Sequence, residues 1–226
     1  MDFLNLLFPK KCLECSASGR YLCNRCLKKV PEGRQICPIC RYYSYLGQTH
    51  KSCQKPLGLE GHYSLWKYDG VIKKAVWALK YRFAYDVAKE LSDLCARRLD
   101  TLNAKYWIQN TVLVPIPLHR KRKNWRGFNQ AEVVGELVAK KMGWNFNSGI
   151  IFRKSASISQ VGLNREERLR NICGKYAVNT KYLIPHTKYP ILLFDDVWTT
   201  GTTLKEACKV LKKAGAKEVW GLTIAG

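Results

Sequence analysis

Pairs of metal-ligating side chains, each separated by two residues, constrain the first quarter of this 226-residue chain more than any other feature. Two ligands at such a spacing can bind one ion from a tight turn, and two pairs complete the tetrahedral site that zinc prefers. All four positions of each site would be filled by protein, which predicts two structural zinc sites. Consecutive pairing is the simplest arrangement, and spacing alone leaves crossed pairing open. The predicted ligands are Cys12, Cys15, Cys23 and Cys26, then Cys37, Cys40, His50 and Cys53.

Other uses of these cysteines fit the sequence less well. A disulfide framework needs an oxidising compartment. The opening segment, 1–8, is apolar but short and lacks a basic start, so no secretory signal is predicted and a cytoplasmic location is expected. Four repeated pairs also have no role in dithiol redox chemistry. The remaining cysteines, at 95, 173 and 208, lie in apolar or helical settings and are predicted to be buried core residues.

The charge balance indicates a polyanionic partner. The sequence contains 39 Lys and Arg against 17 Asp and Glu, a formal net charge of +22. A balance this basic is typical of proteins that bind nucleic acid, anionic lipid or phosphate-rich substrates, although it also occurs on merely soluble surfaces. Zinc-bound thiolates lower the formal charge of residues 1–58 from +7 to +4, so most of the phosphate-binding potential is expected after residue 58. No apolar run approaches the roughly 18 residues of a membrane-spanning helix.

The remainder of the chain predicts an α/β domain with an open, mainly parallel sheet flanked by helices. Lys55–Gly58 marks the predicted boundary, giving a small zinc ribbon domain over 1–58 and a second domain over 59–226. Apolar residues recur at helical spacing in four segments, and short apolar or alternating runs indicate strands between them. Helices are predicted over 71–79, 86–99, 129–142 and 202–214, and strands over 62–68, 111–117, 150–152, 175–178, 191–194 and 218–225.

The chemistry is expected at the carboxyl end of the strand over 191–194. Asp195 and Asp196 follow this strand directly, and a turn with one glycine and four threonines leads into the next helix. Ligands of open α/β sheets bind at this edge, and a helix start offers free N–H groups to phosphate. The carboxylates can accept hydrogen bonds from sugar hydroxyls or hold Mg²⁺. The simpler alternative is that Asp196 and the threonines only cap the helix.

Residues 191–203 resemble the phosphoribosyl-diphosphate (PRPP) binding motif of type I phosphoribosyltransferases over all thirteen positions. The resemblance implies PRPP and Mg²⁺ as ligands, with Asp195 and Asp196 as catalytic residues that hold the ribose 2′- and 3′-hydroxyls. Hypoxanthine-guanine enzymes carry an aspartate base where this chain has Thr199, which argues against that subclass. The resemblance assigns the 5′-phosphate to Thr199, Thr200, Gly201, Thr202 and Thr203.

Two further segments fit a phosphoribosyl site. The first follows the strand over 111–117 and combines a turn with clustered basic residues, which favour phosphate. A solvated basic loop is the alternative there. The second, 159–168, is polar and basic and is either a mobile lid, with Gln160 and Arg165 over the substrate, or an ordinary surface linker. The predicted pyrophosphate-binding residues of the first segment are Pro117, Leu118, His119 and Arg126.

The order of these motifs across nearly the whole chain resembles the ComF family. That resemblance implies a phosphoribosyltransferase-like fold behind a double zinc ribbon and a link to natural transformation, with single-stranded DNA and a competence helicase or other DNA-processing proteins as partners. It names no acceptor base, and His119 is one candidate for a general base. A homodimer is expected only by analogy with phosphoribosyltransferases.

Two functional hypotheses follow. One is a phosphoribosyltransferase of unknown acceptor. The other is a non-catalytic module for single-stranded nucleic acid that retains the phosphate site. In that module basic clusters would track the strand and aromatic side chains would stack on bases. The aromatic candidates are Trp107, Trp125, Phe128 and Trp198.

Overall fold

The computed structural model describes residues 9–79, 84–101, 111–154, 175–183 and 188–226. Its strands are β1 Gly61–Trp66, β2 Val112–Pro115, β3 Asn145–Phe146, β4 Ile151–Arg153, β5 Tyr176–Val178, β6 Ile191–Val197 and β7 Val219–Ala225. Its helices are α1 Asn24–Leu27, α2 Gly70–Ala78, α3 Ala84–Thr101, α4 Arg120–Arg126, α5 Gln130–Met142, α6 Thr180–Leu183 and α7 Thr202–Lys213. Short 3₁₀ turns occur at Tyr45–Gly47 and Lys51–Cys53.

Five strands form one parallel sheet in the order β1-β7-β6-β2-β3, and β4 pairs with β5 in a separate antiparallel ribbon. The central strands read as continuous apolar runs because both faces of the sheet are covered. On β6, Leu192 and Phe194 face a core shared with α2, α3 and α5, whereas Ile191 and Leu193 face a core shared with α7 and the ribbon. The predicted α/β fold, an open parallel sheet flanked by helices, is therefore confirmed.

Helix boundaries follow from local chemistry. Asn129 caps α5 by accepting a hydrogen bond from the Ala131 N–H at 3.2 Å, and Gly143 ends the helix in a left-handed conformation with φ 69°. Helix α5 approaches the sheet closely at Gly135, where an added Cβ would lie 2.9 Å from a Leu113 methyl carbon. The glycine therefore lets the middle of α5 pack directly on Leu113 of β2 and Phe194 of β6.

The N-terminal segment lies along the outer edge of β1. Isolated bridges join Glu32 to Trp66 and Gln48 to Gly61, so this edge strand is partly covered. Leu22 and Val30 belong to the same apolar core as the helices on that face of the sheet. The core is thus continuous across residue 58, and the division into domains at 1–58 and 59–226 stays a prediction.

Two local differences from the sequence expectations concern the site. Strand β6 continues to Val197, because its ladder with β7 extends past the apolar run to pair Val197 with Ala225. The expected basic loop after β2 contains a short helix, and Arg126 ends that helix. No proline or glycine interrupts 120–126, and lysine and arginine are good helix formers.

Among the described residues, no helix combines the length and apolar character needed to cross a membrane.

Candidate metal clusters and phosphate-binding site

The eight predicted metal ligands form two clusters, paired consecutively. In each cluster the ligand atoms all lie within 4.8 Å of one another. The first cluster comprises four cysteines. The sulfur atoms of Cys15 and Cys23 lie 3.7 Å apart, well beyond the about 2 Å of a disulfide bond. The second comprises three cysteines and one histidine. Four N and S ligands at these distances fit tetrahedral zinc, and both clusters could hold structural zinc.

The turns favour thiolates at the first cysteine of each cluster. Burial opposes the charged form of Cys12, but backbone N–H groups of Cys15 and Cys23 outweigh it and lower the pKa of Cys12 to about 6. The pKa of Cys37 falls to about 7, since hydrogen bonds from backbone N–H groups outweigh burial there as well. In contrast, burial and the neighbouring thiols raise the pKa of Cys26 to about 12. Such a group of thiols becomes fully ionised only with a cation among them.

His50 is oriented as a ligand by its second ring nitrogen. Its Nδ1 lies 3.3 Å from the Cys40 Sγ, and its Nε2 lies 3.1 Å from the Tyr43 carbonyl oxygen, to which it donates in the Nε2–H tautomer. A backbone acceptor of this kind fixes the tautomer and the ring plane of metal-binding histidines. Outside the clusters, Cys95 and Cys208 are fully buried, as predicted, and Cys173 lies outside the described residues.

Two carboxylates end strand β6 at the carboxyl edge of the sheet. Asp195 and Asp196 are both partly buried, and the Asp196 N–H donates to Asp195 Oδ1 at 2.9 Å. Burial, followed by the charge of Asp196, raises the pKa of Asp195 to about 8. The pair therefore holds a proton near neutral pH, and a bound cation or donating hydroxyl groups would stabilise its ionised form.

The turn after β6 leads into helix α7 through a left-handed glycine. Gly201 has φ 74°, and an added Cβ would lie 2.2 Å from a ring carbon of Trp198, so the indole packs directly on the glycine. The hydroxyls of Thr200 and Thr202 lie 2.9 Å apart. Within the described part of the chain, the backbone N–H groups of Thr199, Thr200 and Gly201 donate to no protein acceptor. Free amides at a helix start are suited to an anion.

A cavity of about 240 Å³ joins the carboxylates to the segment after β2. It brings together six of the predicted site residues. The positions not among its lining residues are His119, Thr199, Thr200, Gly201 and Thr202. Gln160 and Arg165, the predicted lid residues, lie outside the described residues. The six predicted residues in the lining are Pro117, Leu118, Arg126, Asp195, Asp196 and Thr203.

Two buried donor atoms of the cavity wall are suited to an anionic or hydroxylated ligand. Arg126 Nε and Gln130 Nε2 are buried without a hydrogen-bond partner in the described structure. Gln130 is 3% exposed, so water satisfies it poorly. A negatively charged or hydroxylated ligand in the cavity would supply the acceptors that both donors lack.

Six residues of the cavity wall were given no role in the sequence analysis, and four of them have polar side chains. Asn129 and Gln130 stand at the start of α5, and the Asn129 Nδ2 donates to the Ile116 carbonyl at 2.9 Å, which ties that helix to the segment after β2. Arg153 and Tyr176 come from the ends of the β4–β5 ribbon, where the guanidinium carbon lies 5.9 Å from the phenol ring centroid. Their strands were predicted, but only antiparallel pairing places both at the cavity.

Trp198 is not available for base stacking. It is 9% exposed, and its indole stacks on the His62 imidazole with ring centroids 3.8 Å apart. Burial, aided by the charge of Lys205, lowers the pKa of His62 to about 3, so this ring stays neutral. Its Nε2 lies 2.9 Å from the Thr223 hydroxyl. The stacked pair therefore supports the turn after β6 from the core side, where the indole packs on Gly201. Trp107 lies outside the described residues, whereas Trp125 is exposed and Phe128 is partly buried.

The fold and the clusters define an α/β protein with a phosphoribosyltransferase-like sheet preceded by a double zinc ribbon. No protein-family model matches the chain. Competence protein F of Haemophilus influenzae is 33% identical over 117 residues, which span half of each protein. The DNA utilization protein YhgH of Escherichia coli is 25% identical over 96% of this chain and 98% of its own length. Competence protein ComFC of Bacillus subtilis is 27% identical over 90% of this chain and 82% of its own length. These relatives confirm the resemblance to the ComF family.

Proposed function

We propose that the carboxyl edge of the sheet binds PRPP, or a related phosphoribosyl ligand, together with Mg²⁺. The observation that carries this proposal is the convergence of two carboxylates, a helix start and unpartnered buried donors on one cavity. A phosphoribosyl ligand presents hydroxyls and phosphates together, and these are the groups that such a wall can pair. The names of the relatives, which refer to competence and DNA utilization, favour a role in DNA handling.

Each group of residues would bind a different part of the ligand. Asp195 and Asp196 would accept hydrogen bonds from the ribose hydroxyls, and the turn over 199–203 would hold the 5′-phosphate through its free amides and threonine hydroxyls. Arg126 and Gln130 would donate to the pyrophosphate oxygens, which pairs their buried N–H groups. Mg²⁺ would neutralise phosphate charge during departure of the leaving group.

Transfer of the phosphoribosyl group to an acceptor is the reaction that this ligand supports. The transition state resembles an oxocarbenium ion, so the main task of the protein is to orient the ligand and to stabilise the departing charge. Arg153, beside Tyr176 in the cavity wall, adds a cation for that purpose. His119 is not among the lining residues, which weakens it as the general base.

Isothermal titration calorimetry with PRPP and Mg²⁺ tests the site. We expect binding by the wild-type protein and its loss in the Asp195→Asn/Asp196→Asn double variant, which keeps the side-chain shape but removes both carboxyl groups. Glu136→Gln, at an exposed position of α5, is the matched control and should bind normally. Equal affinity of the wild type and the double variant would contradict the proposed site.

A second function, binding of single-stranded nucleic acid, is favoured by exposed aromatic residues in basic surroundings. Tyr42, Tyr43 and Tyr45 of the second zinc cluster are 76%, 78% and 69% exposed. Residues 33–59 contain four basic residues and no acidic one. Trp125 of the basic helix α4 is 73% exposed. Exposed rings among cations can stack bases while the cations follow the phosphates.

Fluorescence anisotropy with a labelled oligothymidylate tests this second function. We expect affinity to fall steeply with salt and to drop about tenfold in Tyr42→Ala/Tyr43→Ala. Tyr85→Ala is the control, because this tyrosine on α3 is also exposed, at 65%. Binding that is insensitive to salt, or an equal loss in the control variant, would argue against this function.

A further inference from the structure

The segment that carries the second metal cluster also contacts helix α7 along its length. At the start of the helix the Arg41 Nη2 donates to the Thr200 carbonyl at 3.4 Å. Further along, the Cys208 thiol lies 3.7 Å from the Leu57 carbonyl oxygen. Near the end, Lys212 forms an ion pair with Glu60. One side of α7 is thus held by the segment over 41–60, which we call the bracing segment.

Arg41 takes its position from the second cluster. It has φ 65°, an uncommon conformation for a residue with a side chain. Its N–H donates to the Cys37 carbonyl at 3.0 Å, and the Cys37 N–H donates to the Tyr42 carbonyl at 2.9 Å. Cys37 and Cys40 are both ligand residues of this cluster. A metal ion that joins them to the distant His50 and Cys53 would close the turn on which Arg41 sits.

The contact with Thr200 acts on the peptide group that precedes Gly201. In a trans peptide the C=O and the next N–H point in opposite directions. An arginine that holds the Thr200 carbonyl therefore fixes the Gly201 N–H on the opposite side, as a free donor. Trp198 packs against Gly201 from within, and the Lys205 ammonium lies 5.7 Å from the centroid of that indole ring. The orientation of the turn thus depends on contacts from the bracing segment and from the core.

We propose that the second metal cluster is a structural part of the anion-binding turn. Metal at this cluster holds Arg41, Arg41 is a positioning residue for the peptide between Thr200 and Gly201, and loss of the metal weakens the affinity of the turn for phosphate. The first cluster has no such role, since its neighbourhood is tied to α2 and α3 through Lys74–Glu14 and the bonds to Glu90. The expected loss of phosphate affinity (the affinity part) rests on the proposed phosphate site. The positioning of the Thr200–Gly201 peptide by Arg41 (the positioning part) does not.

Hydrogen exchange of the ligand-free protein tests the positioning part. The variants are Cys53→Ser in the second cluster, Cys15→Ser as the matched change in the first, and Arg41→Ala, with the zinc content of each measured by mass spectrometry of the native protein. We expect Cys53→Ser and Arg41→Ala to speed exchange at the first turn of α7, where the Lys205 N–H donates to the Gly201 carbonyl at 3.0 Å. Cys15→Ser should lose one zinc and leave this turn protected, and Arg41→Ala should keep two.

Calorimetry with PRPP and Mg²⁺, and separately with inorganic phosphate, tests the affinity part. Removing one hydrogen bond from a charged donor should weaken binding about tenfold in Arg41→Ala, and Arg41→Lys should recover part of this loss. The proposal is overturned if Arg41→Ala leaves exchange at α7 unchanged, or if Cys15→Ser loosens α7 as much as Cys53→Ser does. If the wild type binds neither ligand, the proposed function fails, and the exchange result still decides the role of Arg41.

Discussion

Replacing Asp195 by asparagine is expected to flatten the pH dependence of stability near neutral pH. In the folded protein, burial and the neighbouring charge of Asp196 raise the pKa of Asp195 from 3.8 to about 8. A carboxyl group with a raised folded-state pKa binds more protons in the folded chain than in the unfolded chain. Stability is therefore lost as pH rises from the unfolded pKa towards the folded pKa. Asparagine keeps the shape of the side chain but does not titrate.

The size of the effect follows from the two pKa values. Between pH 6 and pH 8 the unfolded carboxyl is ionised while the folded one remains largely protonated until the upper end of the range. The linkage relation then gives a loss of about 2.3 kcal/mol of unfolding free energy at most. Asp195 is only partly buried, and solvent access reduces the expected loss to about 1 to 2 kcal/mol.

Urea unfolding at pH 6, 7 and 8, in buffer with a constant excess of zinc, measures this difference. Wild type should lose about 1 to 2 kcal/mol more than Asp195→Asn over this range. Titrating groups outside the carboxylate pair, including the zinc ligands, contribute equally to both proteins and cancel in the comparison. Glu136→Gln should follow the wild type. If Asp195→Asn and the wild type lose stability in parallel, the reasoning about a shared proton on the carboxylate pair is refuted.

Three further perturbations test the clusters and the cavity. A high-affinity chelator should release two zinc ions per chain, as measured with a chromophoric indicator. The segment over 9–58 should unfold at the same time, as followed by circular dichroism, and release of fewer ions would contradict two filled clusters. Gly201→Ala places a Cβ 2.2 Å from a Trp198 ring carbon at φ 74°, so urea unfolding should show a loss of about 2 to 3 kcal/mol, and unchanged stability would rule out this close packing. Gln130→Met removes an unpartnered buried donor, so thermal unfolding of the ligand-free protein should show equal or greater stability while calorimetry shows weaker PRPP binding. Lower thermal stability with normal PRPP binding would indicate that Gln130 has a structural role and does not contact the ligand.

Features determined by neighbouring residues could be predicted from the sequence. The eight metal ligands could be predicted from their spacing, although only the structure decides between consecutive and crossed pairing, and the end of α5 at a left-handed Gly143 is a local feature as well. Strand β6 was predicted from its apolar run, but the run ends at Phe194 and the strand ends at Val197. The last three residues are held in the strand by pairing with β7, and pairing between strands leaves no mark in local hydrophobicity.

Features that depend on distant contacts could not be predicted. Arg153 and Tyr176 reach the cavity only because β4 pairs antiparallel with β5, and neither residue belongs to a recognisable motif. The contact of Arg41 with Thr200 joins residues that are 159 positions apart. Spacing within the chain gives the chemistry of each segment, whereas the packing of α7 and the bracing segment determines which segments meet.

The position of β7 has a consequence for the order of folding. This strand follows all the other described strands of the sheet along the chain, yet it lies between β1 and β6. During synthesis β1 therefore has no parallel partner until residues 219–225 leave the ribosome. The metal clusters need only residues 12–53 and can form on the nascent chain much earlier. Bridges from Glu32 and Gln48 would then shield one edge of β1 from other chains during that wait.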